Sequence, residues 1–363
     1  MMVIGVDTHK STHAMAAVAA DSGLLASERE IAATEDGHRQ ALSWAKELDP
    51  ERVWAIEDCR HVSRRLEQAL IAAGERVLRV PPKMMGASRR SEREPGKSDQ
   101  IDARAVARAV LREGVERFPA AFLDERTLEI RLLVDHRADF VSERTRQINR
   151  LRWHLVDVCP ELEASIPARQ LSAGATLERI ARRLRREQRT GRVRIALELV
   201  ASIRAVSLKT NALERELRAL IMDYRPALLA EQGLGTLTAA TLIGRTASAE
   251  RFPTDAHFAR QAGVAPIPVS SGRKDRHRLH RGGDRQLNRA LHVIAITRAR
   301  IDPTTRAYLD RKRAEGKTNR EALRCLKRHL ARHVHRLLAQ PPAHPDHRTR
   351  TQLNSAISVP RLT

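Results

Sequence analysis

Aromatic side chains are scarce in this chain, with Phe, Trp and Tyr together making 3% of its 363 residues. So few rings argue against a surface that grips nucleic acid by stacking bases on aromatic platforms. Cysteine is scarcer still. Cys59, Cys159 and Cys325 are too few and too scattered for a disulfide framework or a zinc site, and they fit a reducing compartment. Long apolar runs are missing as well. No stretch of about 18 apolar residues occurs, and an Asp interrupts the apolar start "MMVIGVDTHK" where a leader needs to stay hydrophobic, so the expectation is a cytoplasmic protein.

Acid is short relative to base. Against 44 Asp+Glu stand 66 Lys+Arg, a formal charge of +22, which calls for a polyanionic partner and for nucleic acid first. A hydrophobic content of 42% is enough for real cores, and the length suggests two or three domains.

The first 80 residues alternate strand and helix patterns. "MVIGVD", "HAMAAVAA" and "LLASEREIA" read as a three-stranded meander; "TEDGHRQALSWAKEL" reads as a helix capped by Thr34. "RVWAIE", the helical "HVSRRLEQALIAAG" and "ERVLRV" follow, so the order is β-β-β-α-β-α-β and implies a mixed sheet flanked by helices. Between about 123 and 226 the texture changes. Val141, Ile148, Leu151, Leu155 and Val158, and later Leu199, Val206, Leu213, Leu217 and Leu220, follow coiled-coil spacing in two arms broken around Pro160, Pro167 and Gly174. That pattern suits pairing between protomers or an ordinary hairpin within one chain. From 227 a third unit begins, in which Gly233 and Gly235 precede a helical "TLTAATLIG" like a helix-hairpin-helix turn that holds a phosphate. Residues 341–363 read as a disordered tail.

Chemistry concentrates in four acids. Asp7 ends the first strand and Glu57 the fourth, while Asp99 and Asp102 stand at i and i+3 in the first turn of the Ala-rich helix opened by "KSDQIDARAVARAV". Capping explains an acid in a first turn just as well. A helix beside the central strands, however, brings all four together, and carboxylates so crowded stay ionised only with cations between them. Mg²⁺ is the natural occupant, and a metal pair stabilises the attacking and leaving oxygens of a phosphodiester displacement.

In their order along the chain, "GVDTHK", "AIED", "KSDQIDARAVA", "QAGVAPIPVSSG" and "HRGGDRQLNRAL" resemble the DEDD transposases of bacterial insertion sequences, specifically the insertion-sequence one-ten family, from residue 3 to about 338. The resemblance implies an α/β RuvC-like ribonuclease-H fold (1–122), all-α coiled-coil arms (123–226) and a mostly α C-terminal transposase domain (227–340) with a serine nucleophile. It also implies DNA cutting and rejoining guided by an element-encoded structured RNA. Carried over, the metal ligands are Asp7, Glu57, Asp99 and Asp102, for Mg²⁺ with Mn²⁺ as substitute. The nucleophile is Ser271, the serine directly before a glycine, with the adjacent Ser270 as the other candidate. Lys97, Gly233, Gly235, Arg273, Lys274, Arg276, Arg278 and Arg281 are the candidates for nucleic-acid contact. His277 and His280 are candidate proton shuttles, though solvated members of a basic strip fit them better; His329, His333 and His335 lack an acid or Cys partner nearby for a metal site. Donor and target DNA, the guide RNA and further copies of the chain are the expected partners. Two other readings compete: a metal-only nuclease with water as nucleophile, and a non-catalytic RNA-binding or architectural protein whose acids are caps.

Overall fold

The computed structural model describes residues 1–57, 60–81, 98–118, 120–122, 124–167, 169–271, 274–280 and 282–343. The tail from 344 onward therefore lies outside the described residues.

Strands β1 (Met2–Thr8), β2 (Thr12–Ala19) and β3 (Leu25–Ala32) form an antiparallel meander, β1 against β2 and β2 against β3. After α1 (Glu35–Leu48), β4 (Arg52–Glu57) lies parallel to β1; after α2 (Arg60–Ala72), β5 (Val77–Val80) lies parallel to β4. The resulting order, β3-β2-β1-β4-β5, is the α/β, ribonuclease-H-like arrangement that the motifs implied. Thr34 caps α1 by accepting from the Gly37 amide, and Gly74 ends the α2 region with a φ of +80°, open to glycine at no steric cost.

Every residue of β1 is buried, as in a strand covered on both faces. Its alternation separates two cores. Met2, Ile4 and Val6 join Trp54, Ile56 and the inner faces of α1 and α2. Val3 joins Val53, Ala55 and the Ala/Val face of α3 (Asp99–Glu113). That small-residue face lets α3 lie close on the sheet.

The two arms are single 34-residue helices, α4 (Glu125–Val158) and α7 (Gly191–Tyr224), each about 50 Å long at 1.5 Å per residue. Arg126 meets Asp223, Arg137 meets Glu214, Arg144 meets Ser207 and Arg192 meets Asp157, so the helices run antiparallel within one chain. At the far end α5 (Pro160–Ala164) and α6 (Gly174–Leu184) turn the chain around, and Leu151, Leu155, Leu177, Ile180, Val193 and Leu199 close a core of their own. The heptad residues Leu151, Leu155 and Leu199 thus serve the hairpin's own tip, and Leu217 packs into the C-terminal core.

Beyond the arm come α8 (Pro226–Ala230), α9 (Thr236–Thr246), α10 (Asp255–Gln261), a hairpin of β6 (Pro266–Ser271) and β7 (Lys274–Leu279), then α11 (Arg285–Ile301), α12 (Pro303–Ala314) and α13 (Asn319–Ala339). Their core includes Leu242, Phe258, Leu291, Ile294 and Val334, and it takes Ile130 and Ile221 from the foot of the arm. Among the described residues, no helix is long and apolar enough to cross a membrane.

Candidate active site

Strand parity aims two of the acids at one place. Asp7 shares a β1 face with Val3 and Gly5, and Glu57 shares a β4 face with Val53 and Ala55; both faces lie under α3. The parallel register ends at Val6↔Ile56, which sets Asp7 and Glu57 side by side one step further on. Gly5 decides how near α3 comes. A Cβ there would stand 2.0 Å from the Ala103 carbonyl oxygen and 2.6 Å from the Ala107 amide nitrogen, so backbone rests on backbone and the first turn of α3 ends over Asp7.

That first turn is capped by Ser98, whose side chain accepts from the Ile101 amide at 3.3 Å. Neither Asp99 nor Asp102 carries the capping duty. Asp7 and Asp102 are 6% and 5% exposed, whereas Asp99 stands at the open edge. Burial pushes the Asp7 carboxyl above its ordinary range; His9 opposes the rise, and the charges of Asp102 and Asp99 add to it.

His9 was not singled out in the sequence, although "DTH" sets it two residues after Asp7. Its Nε2 lies 3.1 Å from Asp7 Oδ2 and 3.3 Å from Asp99 Oδ1, and donor atoms of Asp7, His9 and Asp99 all lie within 4.8 Å of one another. The donor set fits a divalent cation: clustered hard carboxylate oxygens whose mutual repulsion a cation relieves, with one imidazole at the rim.

Residues 4–160 match a family model, DEDD_Tnp_IS110, described as transposase, and residues 226–310 match that of the transposase IS116/IS110/IS902 family. A 43.6 kDa protein of insertion element IS110 from Streptomyces coelicolor is 32% identical over 271 residues, 62% of this chain and 67% of that protein. The chain belongs to the IS110 family of insertion-element transposases. A 42 kDa protein of element IS900 from Mycobacterium paratuberculosis is 27% identical over 370 residues, 89% of this transposase and 92% of its relative. Among solved structures, Thermus thermophilus RuvC in complex with a Holliday junction substrate is 16% identical, with a TM-score of 0.27 over 33% of the transposase and 99% of RuvC.

The second half of the transposase holds Ser270 and Ser271 at the end of β6, where Ser271 pairs with Lys274 and Ser270 with Asp275 across the hairpin. Arg276 and Arg278 follow on β7, and Arg278 is exposed. Lys97, Arg273 and Arg281 lie outside the described residues. The structure explains why the flanking motifs read as they do. Gly263, just before the hairpin, and Gly283, just after it, touch backbone to backbone: a Cβ on Gly283 would stand 2.3 Å from the Gly263 nitrogen. Asn288 of α11 donates to the carbonyls of Ala262 and Gly263 at 3.1 and 2.9 Å, and the Asp284 amide donates to Gln261 O at 2.6 Å. The hairpin is clamped at its root, and among the described residues it makes no extensive contact with β1, β4 or α3.

Gly233 has a φ of +85° and Gly235 stands at the N-cap of α9, so the glycine turn is present. Arg298 of α11 packs on it, its Cγ 3.0 Å from where a Gly233 Cβ would stand, and donates to Gln232 O at 2.7 Å. The late histidines diverge: His329 meets the Tyr308 ring, His333 contacts Glu231 at 3.0 Å and His335 lies by Phe258. On the sheet face opposite the acids, His13 and His38 stack with ring centroids 5.7 Å apart, and burial pushes the His13 imidazole down to about 4.

Proposed function

We propose that this transposase cuts and rejoins DNA at a composite site, with Asp7, Glu57, Asp99 and Asp102 as the metal-holding half and Ser271 as the nucleophile. What supports the reading is that Asp7 and Glu57 lie side by side one step past the last paired residues of β1 and β4, with Asp99 and Asp102 of α3 near enough to raise the Asp7 carboxyl and capping assigned to Ser98 instead. Bound Mg²⁺ or Mn²⁺ supplies charge stabilisation to the attacking and leaving oxygens of the phosphodiester. The chain's own residues do the rest. The Ser271 hydroxyl gives up its proton and bonds to phosphorus, the bond to one deoxyribose oxygen breaks, and that oxygen takes up a proton. The phosphoserine ester keeps the bond energy that hydrolysis dissipates, so a second strand's hydroxyl can attack it and free the serine. The basic run of β7 nearest the serines supplies charge for the scissile phosphate.

Sequence choice is delegated to an element-encoded RNA, in keeping with a chain that is rich in arginine and poor in rings. Further copies of the chain complete the working complex. The outer face of the arm near its tip supports this, with Trp153 80% and Val156 51% exposed.

Trapping the protein on DNA under denaturing conditions tests the reading. A phosphoserine adduct that disappears in Ser271→Ala and persists in Ser270→Ala is the expected result. Nicking by Ser271→Ala at the unmutated rate makes water the nucleophile and the protein a metal-only nuclease.

A further inference from the structure

Two of the buried cations among the described residues are treated differently. Arg79 is matched by Glu67 through two hydrogen bonds of 2.5 and 2.7 Å. Lys327, on α13 and 7% exposed, bonds to the neutral amide oxygen of Asn288 at 2.5 Å, and among the described residues no carboxylate pairs with it. A buried charge is ordinarily matched by an opposite one, since desolvation costs it several kcal/mol. Burial, with Arg324 adding to it, accordingly pushes the Lys327 amine down to about 8.

Lys327 lines a cavity of about 510 Å³, and its company is basic. Of the acids there, Glu315 is held by Lys312 and Glu321 closes the capping box with Thr318. Arg328 is held by Asp255. What is left over is cationic: Lys327 at the wall, with Lys317, Arg324 and Arg278 around it. The wall opposite α13 is the root of the serine hairpin, from Val264 to Pro266 on one leg and His277 with Arg278 on the other.

We infer that this cavity is a phosphodiester-binding pocket for a nucleic-acid backbone, with Lys327 as its buried anchor and Lys317, Arg324 and Arg278 supplying the remaining charge. An ammonium is a compact point charge that suits a phosphate oxygen, and the cavity has room for the sugar on either side. A strand seated there touches both legs of the hairpin and reaches Asn288 through Lys327, so occupancy tightens the clamp beneath the serines. The pocket is separate from the acid cluster and does not depend on which group attacks phosphorus.

The test uses the full chain, a fluorescent DNA duplex and a fluorescent RNA hairpin matched in length, with affinity followed across a salt series. Lys327→Met weakens binding roughly tenfold and lowers the slope of log K against log salt by about one. The probe that shows this names the source of the phosphodiester. Because the variant removes a buried unpaired charge, its melting temperature is unchanged or higher, and inorganic phosphate raises that temperature less than it does in the parent. An unchanged slope with both probes overturns the inference. If Lys327→Met does not fold, Lys317→Gln combined with Arg324→Gln takes its place at the mouth: a slope lowered by about two supports the pocket, and an unchanged slope overturns it.

Discussion

The acid cluster and the serine hairpin are built on opposite plans. The acids sit on two central strands, one of them buried along its whole length, and a helix pressed backbone to backbone against them. The serines end a two-stranded ribbon that leaves a helical domain and is gripped at its root by Gly263, Gly283 and Asn288. One half of the proposed chemistry is fixed by core packing, whereas the other is delivered by a projection. Like charges must be held against their repulsion, which takes a rigid frame; a nucleophile has to meet a strand whose position depends on what is bound.

The largest expected effect comes from removing a charge at the fixed half. Asp7→Ala or Asp102→Ala takes away several kcal/mol of transition-state stabilisation and lowers strand transfer by about three decades. DNA binding should persist in a filter assay, and full activity in a chelator would sink the metal half. Mixing either variant with Ser271→Ala restores partial activity if the two halves come from different subunits.

Gly5→Val sharpens the contrast because it leaves every acid in place. The added side chain has no room against Ala103 and Ala107, so α3 lifts, folding stability falls by about 1–3 kcal/mol, and strand transfer is lost with Asp7 and Asp102 intact. Calorimetry and a transfer assay read the two effects separately. At the other half, Gly283→Ala should disturb the hairpin root without touching the sheet. Covalent-adduct formation falls about tenfold to a hundredfold, the scale for a residue that positions a reacting group, while metal binding to the acid cluster is unchanged; weakened metal binding would mean the halves are not independent.

The smallest effect is on pH. The His13 imidazole sits at about 4 in the fold against 6.5 when unperturbed, so the unfolded chain binds its proton first. Stability from this group is whole above 6.5 and drains away as pH falls toward 4. His13→Phe should flatten that part of the melting-temperature profile and leave the neutral value nearly unchanged.

Much of the sheet was legible because local and tertiary signals agree there: apolar runs ended by Asp7 and Glu57, the Thr34 cap and the Gly74 stop all fall where the strands and helices do. Asp7 and Glu57 were legible as neighbours because position in a strand fixes a face. His9 was missed because a histidine beside an aspartate in "DTHK" carries no periodicity of its own, and its link to Asp99 depends on how closely α3 settles onto β1. The heptad spacing left two partners open, since spacing says which residues face inward and not toward which helix; loop lengths and the prolines at 160 and 167 fold the arm back on itself. Lys327 gave no sign in a sequence with 66 basic residues. Only packing distinguishes a buried lysine from a solvated one.

The arm carries a mechanical consequence. Its tip has a separate core, its foot shares the C-terminal core through Ile130 and Ile221, and its middle is spanned by bonds from Arg137 and Arg144 to the opposite helix. Two cores joined by a closely paired shaft of about 50 Å make a lever, in which a small rotation at the foot becomes a large sweep at the tip. Whatever takes hold of Trp153 can thereby set the angle of the whole C-terminal domain from far away, acting by torque and without contact at either half of the proposed active site.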